Sequence, residues 1–288
     1  MVGNATKITA RGFGWTHAGR KQPALADIDL VIEPGERVLL CGDSGSGKST
    51  LLAAVAGVLG SDEEGTRTGE LLLEDSTGLV EEPGRSIPVG LVLQDPDSQV
   101  ISARVGDDIA FGCENLGYPR EEIWRRVAAA KELVGPFVPL DFPTERLSGG
   151  QKQRLALAGV IAMGAGVVLL DEPTANLDPE GARDVVRAVS ALVEETGATL
   201  VVVEHHHVAW KGVLERAVEL DHGRIVSDGP FTEVAQRRQV AGLPHARRMS
   251  EAELAEREAA LWSTDLVTRY GPPRTIALPA GASTVITG

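Results

Sequence analysis

An apolar run, Arg37-Val-Leu-Leu-Cys41, breaks into Gly42-Asp43-Ser44-Gly45-Ser46-Gly47-Lys48-Ser49-Thr50 and resumes as Leu51-Leu-Ala-Ala-Val-Ala56. Buried strand, glycine-rich turn and apolar helix start, in that order, are the setting in which a phosphate-binding loop, or P-loop, is built. Glycines let successive backbone N–H groups turn toward phosphate oxygens, and the helix N-terminus adds its positive end. Lys48 is placed to reach the β- and γ-phosphates, and the Ser49 hydroxyl to hold Mg²⁺. Gly42, Asp43, Ser44, Gly45, Ser46, Gly47, Lys48, Ser49 and Thr50 therefore read as the cradle of a nucleoside triphosphate.

Four runs rich in Val and Leu read as strands of one sheet: Arg37–Cys41, Gly90–Leu93, Val167–Leu170 and Thr199–Val203. None alternates cleanly, as expected of strands covered by helices on both faces. Between the last two, Val185, Val186, Val189, Leu192 and Val193 make one apolar face of a helix over Ala182–Glu195. Strand, helix, strand predicts a βαβ crossover and an α/β fold with a mostly parallel sheet. Leu71–Glu82 reads as a small antiparallel addition. The run Val167–Leu170 ends in Asp171-Glu172. That strand is expected beside the P-loop strand, so that Asp171 reaches Mg²⁺ and Glu172 orients or deprotonates the attacking water.

Composition narrows the classes. A net charge of −13 disfavours a nucleic-acid partner and suits basic protein surfaces. Two cysteines, Cys41 and Cys113, make neither a disulfide framework nor a zinc site. The longest uncharged run, Leu155–Leu170, carries glycines and falls short of the roughly 18 residues of a membrane span. The start, Met1-Val-Gly-Asn-Ala-Thr-Lys7, lacks the apolar core of a secretion signal. A reducing, cytoplasmic setting is the expectation. His205-His206-His207 invites a metal reading, but adjacent side chains on a strand or turn diverge, and no second His/Cys cluster completes a coordination sphere.

Leu147-Ser148-Gly149-Gly150-Gln151-Lys152-Gln153-Arg154 opens another helix, and a serine with two glycines at a helix start makes a second anion-binding end. Leu-Ser-Gly-Gly-Gln is the signature of ATP-binding-cassette (ABC) ATPases. The chain resembles that family over residues 8–229, with every motif in family order. The resemblance implies a P-loop NTPase fold of ABC type, with a small antiparallel β part and a helical signature subdomain. It also implies ATP and Mg²⁺ as cofactors and a dimer in which Ser148, Gly149, Gly150 and Gln151 of one cassette close on ATP held by another. Carried over by position, Trp15 matches the adenine-stacking aromatic, where the family more often has Tyr. Gln94 matches the glutamine that senses Mg²⁺ and the attacking water. Asp178, in Ala175-Asn-Leu-Asp178, matches the loop that crosses the dimer interface, and His205 the histidine at the γ-phosphate. Glu172, His205, Gln94 and Lys48 form the expected catalytic set; Ser49, Gln94 and Asp171 form the metal set.

Gln94-Asp-Pro-Asp-Ser-Gln-Val-Ile101, Val105-Gly-Asp-Asp-Ile-Ala-Phe-Gly112 and Glu114-Asn-Leu-Gly117 resemble the cassettes of energy-coupling-factor importers for vitamins, cobalt or nickel. That likeness implies a second cassette, of the same or a related sequence, and a transmembrane coupling subunit. A helix of the subunit would meet Asp95, Asp107 and Asp108. Contact with the inner face of the membrane would run through that partner alone. A soluble ABC ATPase acting on ribosomes or nucleic acid would favour basic surfaces, and a non-hydrolysing regulatory cassette would lose motif residues retained here.

From Gly229 onward the pattern changes. Arg237, Arg238, Arg247 and Arg248 lead to Ser250, which reads as the cap of a helix over Glu251–Leu261. Ile276-Ala-Leu-Pro-Ala-Gly281-Ala-Ser-Thr-Val-Ile-Thr-Gly288 then repeats the spacing of Leu30-Val-Ile-Glu-Pro-Gly35-Glu-Arg-Val-Leu-Leu-Cys-Gly42: in each, the glycines lie seven apart (42 − 35; 288 − 281). Tyr270 falls where a stacking aromatic would sit. The expected organisation is thus an ABC domain over 1–236, a linker and helix over 237–261, and the opening of a second cassette over 262–288.

Overall fold

Tracing the computed structural model along the chain, residues 5–59, 64–135, 138–175, 177–205, 207–242, 259–266 and 274–279 are described. They fall into two units, Met1–Arg238 and Gln239–Gly288.

The first unit is layered around a six-stranded sheet ordered β10-β9-β3-β8-β7-β6, of β10 (Arg224–Pro230), β9 (Arg216–Asp221), β3 (Arg37–Cys41), β8 (Thr199–Val203), β7 (Val167–Asp171) and β6 (Val89–Val92). All neighbours run parallel except β9 and β10. Each central strand sends alternate residues to opposite faces. Val38, Leu40, Val167, Leu169, Val201 and Val203 join one core; Leu39, Cys41, Val168, Leu170, Leu200 and Val202 join the other. That two-sided burial is why these segments lack polar alternation, and each such side chain contributes about 1.5–3 kcal/mol of transfer free energy.

The first core is closed by α1 (Lys48–Val55) and by a second sheet ordered β2-β1-β4-β5: β2 (Leu25–Ile32), β1 (Lys7–His17), β4 (Gly65–Glu74) and β5 (Val80–Glu81), antiparallel throughout. The second core is closed by α2 (Val105–Asn115), α3 (Arg120–Leu133), α4 (Gly149–Met163) and α5 (Pro179–Thr196). A last helix, α6 (Phe231–Gly242), buries Phe231, Val234 and Ala235. The expected strands, the βαβ crossover and the antiparallel addition are all present. The expected boundary at residue 236 falls inside α6.

One placement departs from expectation. The strand ending in Asp171-Glu172 is not beside the P-loop strand; β8 lies between them. The α5 crossover carries the chain from β7 to the slot next to β3, so β8 pairs with both. Because all three strands are parallel, their C-terminal ends share one edge, the usual place for ligands in such sheets.

In the second unit, β11 (Ala259–Leu266) pairs antiparallel with β12 (Arg274–Pro279). Ala259–Leu261 are therefore strand rather than the end of a helix, in keeping with the apolar run Ala-Ala-Leu-Trp. Ser250, Glu251 to Arg257, Tyr270, Gly281 and Gly288 lie outside the described residues, as do Arg247 and Arg248. No described helix is long and apolar enough to cross a membrane.

Candidate active site

The P-loop leaves the C-terminal end of β3 and enters α1 at Lys48. Two of its glycines are required by contact as well as conformation. A Cβ on Gly42 (φ 146°) would lie 2.2 Å from the Leu220 carbonyl oxygen, and one on Gly47 (φ 104°) 2.6 Å from that of Ala24. The loop rests on the β9–β10 turn, where Gly223 N–H donates to the Ser46 carbonyl at 3.0 Å and the Ala26 N–H donates to the Gly223 carbonyl at 2.8 Å. Lys48 is buried, its Nζ donating to the carbonyls of Gly42 (3.0 Å) and Asp43 (2.9 Å). Ser49 is exposed at the first turn of α1, and Thr50 follows half-buried. Asp43, Ser44 and Gly45 form the exposed rim. The Ser46 hydroxyl is buried without a hydrogen-bond partner. A glycine cradle, an orphaned hydroxyl and a lysine at a helix start fit a polyphosphate.

Three candidate catalytic side chains meet at one carboxylate. Gln94, just past β6, donates from Nε2 to Glu172 Oε2 at 3.1 Å, and His205, just past β8, places Nε2 3.1 Å from Glu172 Oε1. Asp171 is the last residue of β7. Glu172 has a left-handed backbone, φ 48°, a conformation that costs a side-chain-bearing residue about 1–3 kcal/mol and is retained where its surroundings over-determine it. The surroundings here are specific. Glu172 N–H donates to the Val203 carbonyl at 2.9 Å, and the Pro173 carbonyl accepts from Gln153 Nε2 at 3.2 Å. Thr174 Oγ1 donates to Glu204, whose other oxygen accepts the His205 N–H at 2.8 Å. Neither Gln153 nor Glu204 has a role among the site residues expected from the sequence. His206 lies outside the described residues, and among those described no three of His, Cys, Asp and Glu gather as a metal cluster.

The signature residues stand apart from this group. Ser148 caps α4 in a reciprocal box: its Oγ accepts from Gln151 N–H at 3.4 Å, and Gln151 Oε1 accepts from Ser148 N–H at 2.8 Å. Gly149 and Gly150 are open; a Cβ on Gly149 would meet only Leu177, at 3.8 Å. Their first-turn amides have no partner within the helix. Asp178 caps α5, accepting from Gly181 N–H at 2.7 Å. Ser148, Gly149, Gly150, Gln151 and Asp178 line one surface concavity, and no P-loop residue lines it.

Trp15, carried over as the stacking aromatic, is buried in the first core. It is 5% exposed, and a Cβ on Gly65 would lie 2.3 Å from its six-membered ring. A stacking platform needs a bare face, and little of Trp15 is left bare. Its Nε1–H donates to His17 Nδ1 at 3.1 Å. His17, two residues on and set nearly perpendicular at 84°, is the exposed ring at this end of β1. The strand end adjoins the P-loop, since Ala24 N–H donates to the Trp15 carbonyl while the Ala24 carbonyl abuts Gly47. The readable signal was the turn Ala18-Gly19, which ends the strand at His17. Asp108 is likewise committed locally, its Oδ2 accepting from the N–H groups of Ile101 and Ser102, both at 2.8 Å; Asp95 and Asp107 are exposed.

Known proteins resemble this chain. The ABC transporter family model matches residues 25–175. A putative ABC transporter ATP-binding protein of Methanosarcina acetivorans is 38% identical over 226 residues, 78% of this chain and 35% of that protein. The energy-coupling factor transporter ATP-binding protein EcfA1 of Caldanaerobacter subterraneus is 40% identical over 215 residues, 75% of this chain and 76% of that one. The structure of cbiO1 from Clostridium perfringens, described as part of the ABC transporter complex cbiONQ, superposes with a TM-score of 0.68. It is 30% identical and covers 83% of this chain and 93% of that chain. The chain thus spans about a third of the archaeal relative and about three quarters of EcfA1.

Proposed function

The chain belongs to the ABC transporter family, and from that membership we propose that it is the ATP-hydrolysing motor of an importer of energy-coupling-factor type. The observation that supports this most is the separation of two half-sites. A phosphate cradle with its carboxylate sits on one edge of the sheet, and an open signature helix end with Asp178 lines a separate concavity. Each is half of a site that two cassettes complete by closing on ATP. Gly42 to Thr50 would hold the phosphates, and Ser49 with Asp171, assisted by Gln94, would hold Mg²⁺, an ion that takes few protein ligands beside phosphate oxygens. Bound Mg²⁺ would neutralise charge on the transferred phosphoryl group. Glu172 accepts a proton from water, Gln94 orients that water, and His205 faces the γ-phosphate. A transmembrane coupling subunit would dock near Asp95 and Asp107 and hold the cassette at the inner face of the membrane.

His17 takes the adenine-side position that Trp15 cannot. Stacking is worth about 1–3 kcal/mol per base, so His17→Ala should weaken ATP binding roughly 5- to 150-fold with little change in thermal stability. Trp15→Ala should instead destabilise the fold by about 3–5 kcal/mol. Titration with a fluorescent ATP analogue and thermal melts of both variants separate the two roles; an unchanged affinity in His17→Ala removes His17 from the site.

We also infer that residues from about 262 open a second cassette. Their antiparallel pair β11–β12 has the connectivity of β1–β2, and the glycine spacing is the same. One measurement bears on both readings. The 288-residue chain should hydrolyse ATP with specific activity that rises with its concentration, whereas a longer protein carrying both cassettes should show none of that dependence. A flat dilution series for the 288-residue chain would defeat the shared site.

A further inference from the structure

We propose that Gln153 and Glu204 are positioning residues that hold the Glu172 turn in its reactive form; the inference rests on Glu172 being the general base. Gln153 is 2% exposed. Its single amide nitrogen donates to the carbonyls of Leu93 (3.3 Å) and Pro173 (3.2 Å), the residue just before Gln94 and the residue just after Glu172. One buried amide thus ties together the backbones that carry two of the three side chains meeting at the carboxylate. Glu204 is 4% exposed. One oxygen takes the His205 N–H and the other the Thr174 hydroxyl, which ties the backbone of the third side chain to the same turn. The turn Pro173-Thr174 that follows the left-handed Glu172 is therefore held by two side chains from other elements. Gln153 lies on α4, five residues after the signature serine (153 − 148), so the helix whose first turn faces a partner cassette also grips this chain's own catalytic turn.

Buried polar groups are retained at such positions only where their partners are met, because an unmet one is costly. Gln153 nonetheless keeps its Oε1 buried with no partner. A residue selected for stability alone would be better served by leucine or methionine.

The test is steady-state ATP hydrolysis by Gln153→Leu and by Thr174→Val, the second an isosteric change at a half-buried position. ATP affinity is read separately with a fluorescent analogue. Misplacing a catalytic group by about 1 Å costs on the order of a hundredfold in rate. The expected result is a fall in kcat of roughly ten- to a hundredfold for Gln153→Leu, and a smaller fall for Thr174→Val, with ATP affinity unchanged. In a Glu172→Gln background neither change should lower the residual rate further. Parent-like kcat in a folded Gln153→Leu protein, or full additivity with Glu172→Gln, overturns the proposal. If Gln153→Leu does not fold, parent-like kcat in Thr174→Val overturns it. Absence of hydrolysis by the parent chain at every concentration would instead defeat the functional reading beneath it.

Discussion

Alanine in place of Lys48 should weaken ATP binding by at least about a hundredfold while the protein stays folded. The ammonium is the point charge of the loop, and charged hydrogen bonds are worth about 1.5–3 kcal/mol each, so losing two of them costs 10²- to 10⁴-fold. Lys48 is buried against the carbonyls of Gly42 and Asp43, and phosphate oxygens would compete for the same protons. The loop itself should survive, because Gly42, Gly47 and Gly223 shape it through backbone contacts that do not involve the lysine. Equilibrium titration with a fluorescent analogue, run beside a thermal melt, checks this. A dissociation constant near that of the parent would show that Lys48 does not reach the phosphates.

Glu172→Gln should behave in the opposite way: binding is kept and turnover is lost. The amide is nearly isosteric, so it can still meet Gln94 and His205, but it cannot take a proton from water. Removing a general base typically costs 10²–10⁴ in rate. With hydrolysis blocked, ATP should hold two cassettes together, and gel filtration with ATP and Mg²⁺ should show a species of twice the mass. A variant that turns over at the parent rate would exclude Glu172 as the base.

Much of the sheet was legible because its strands are covered on both faces. Val167–Leu170 and Thr199–Val203 must be apolar throughout, and such runs read plainly in a sequence. The edge hairpin was not. In β10, Arg224-Ile-Val-Ser-Asp-Gly-Pro230, only partial burial is asked of alternate residues, so its composition resembles a loop. The order of the strands was also hidden: that β8 separates β3 from β7 follows from the path of α5, which no local pattern records. The P-loop, the carboxylate after β7 and the capped signature helix were readable because each packs its chemistry into a short stretch. The burial of Trp15 was not legible, because aromatic character says nothing about which ring a neighbouring strand covers, and here β4 supplies Gly65. The roles of Gln153 and Glu204 were hidden for the same reason, since Leu93 and Thr174, one partner of each, lie 60 and 30 residues away.

The brace under the P-loop sets a timetable for the chain. Gly223, whose N–H holds the Ser46 carbonyl, is made 176 residues after Gly47 (223 − 47). At translation speeds of about 5–20 residues per second, roughly 9–35 s separate the two. Throughout that interval the nascent chain carries a glycine-rich segment with no floor beneath it, and ATP in the surrounding fluid has no finished cradle to stabilise. Nucleotide is therefore expected to add its stabilisation late, once the β9–β10 turn is in place under the loop.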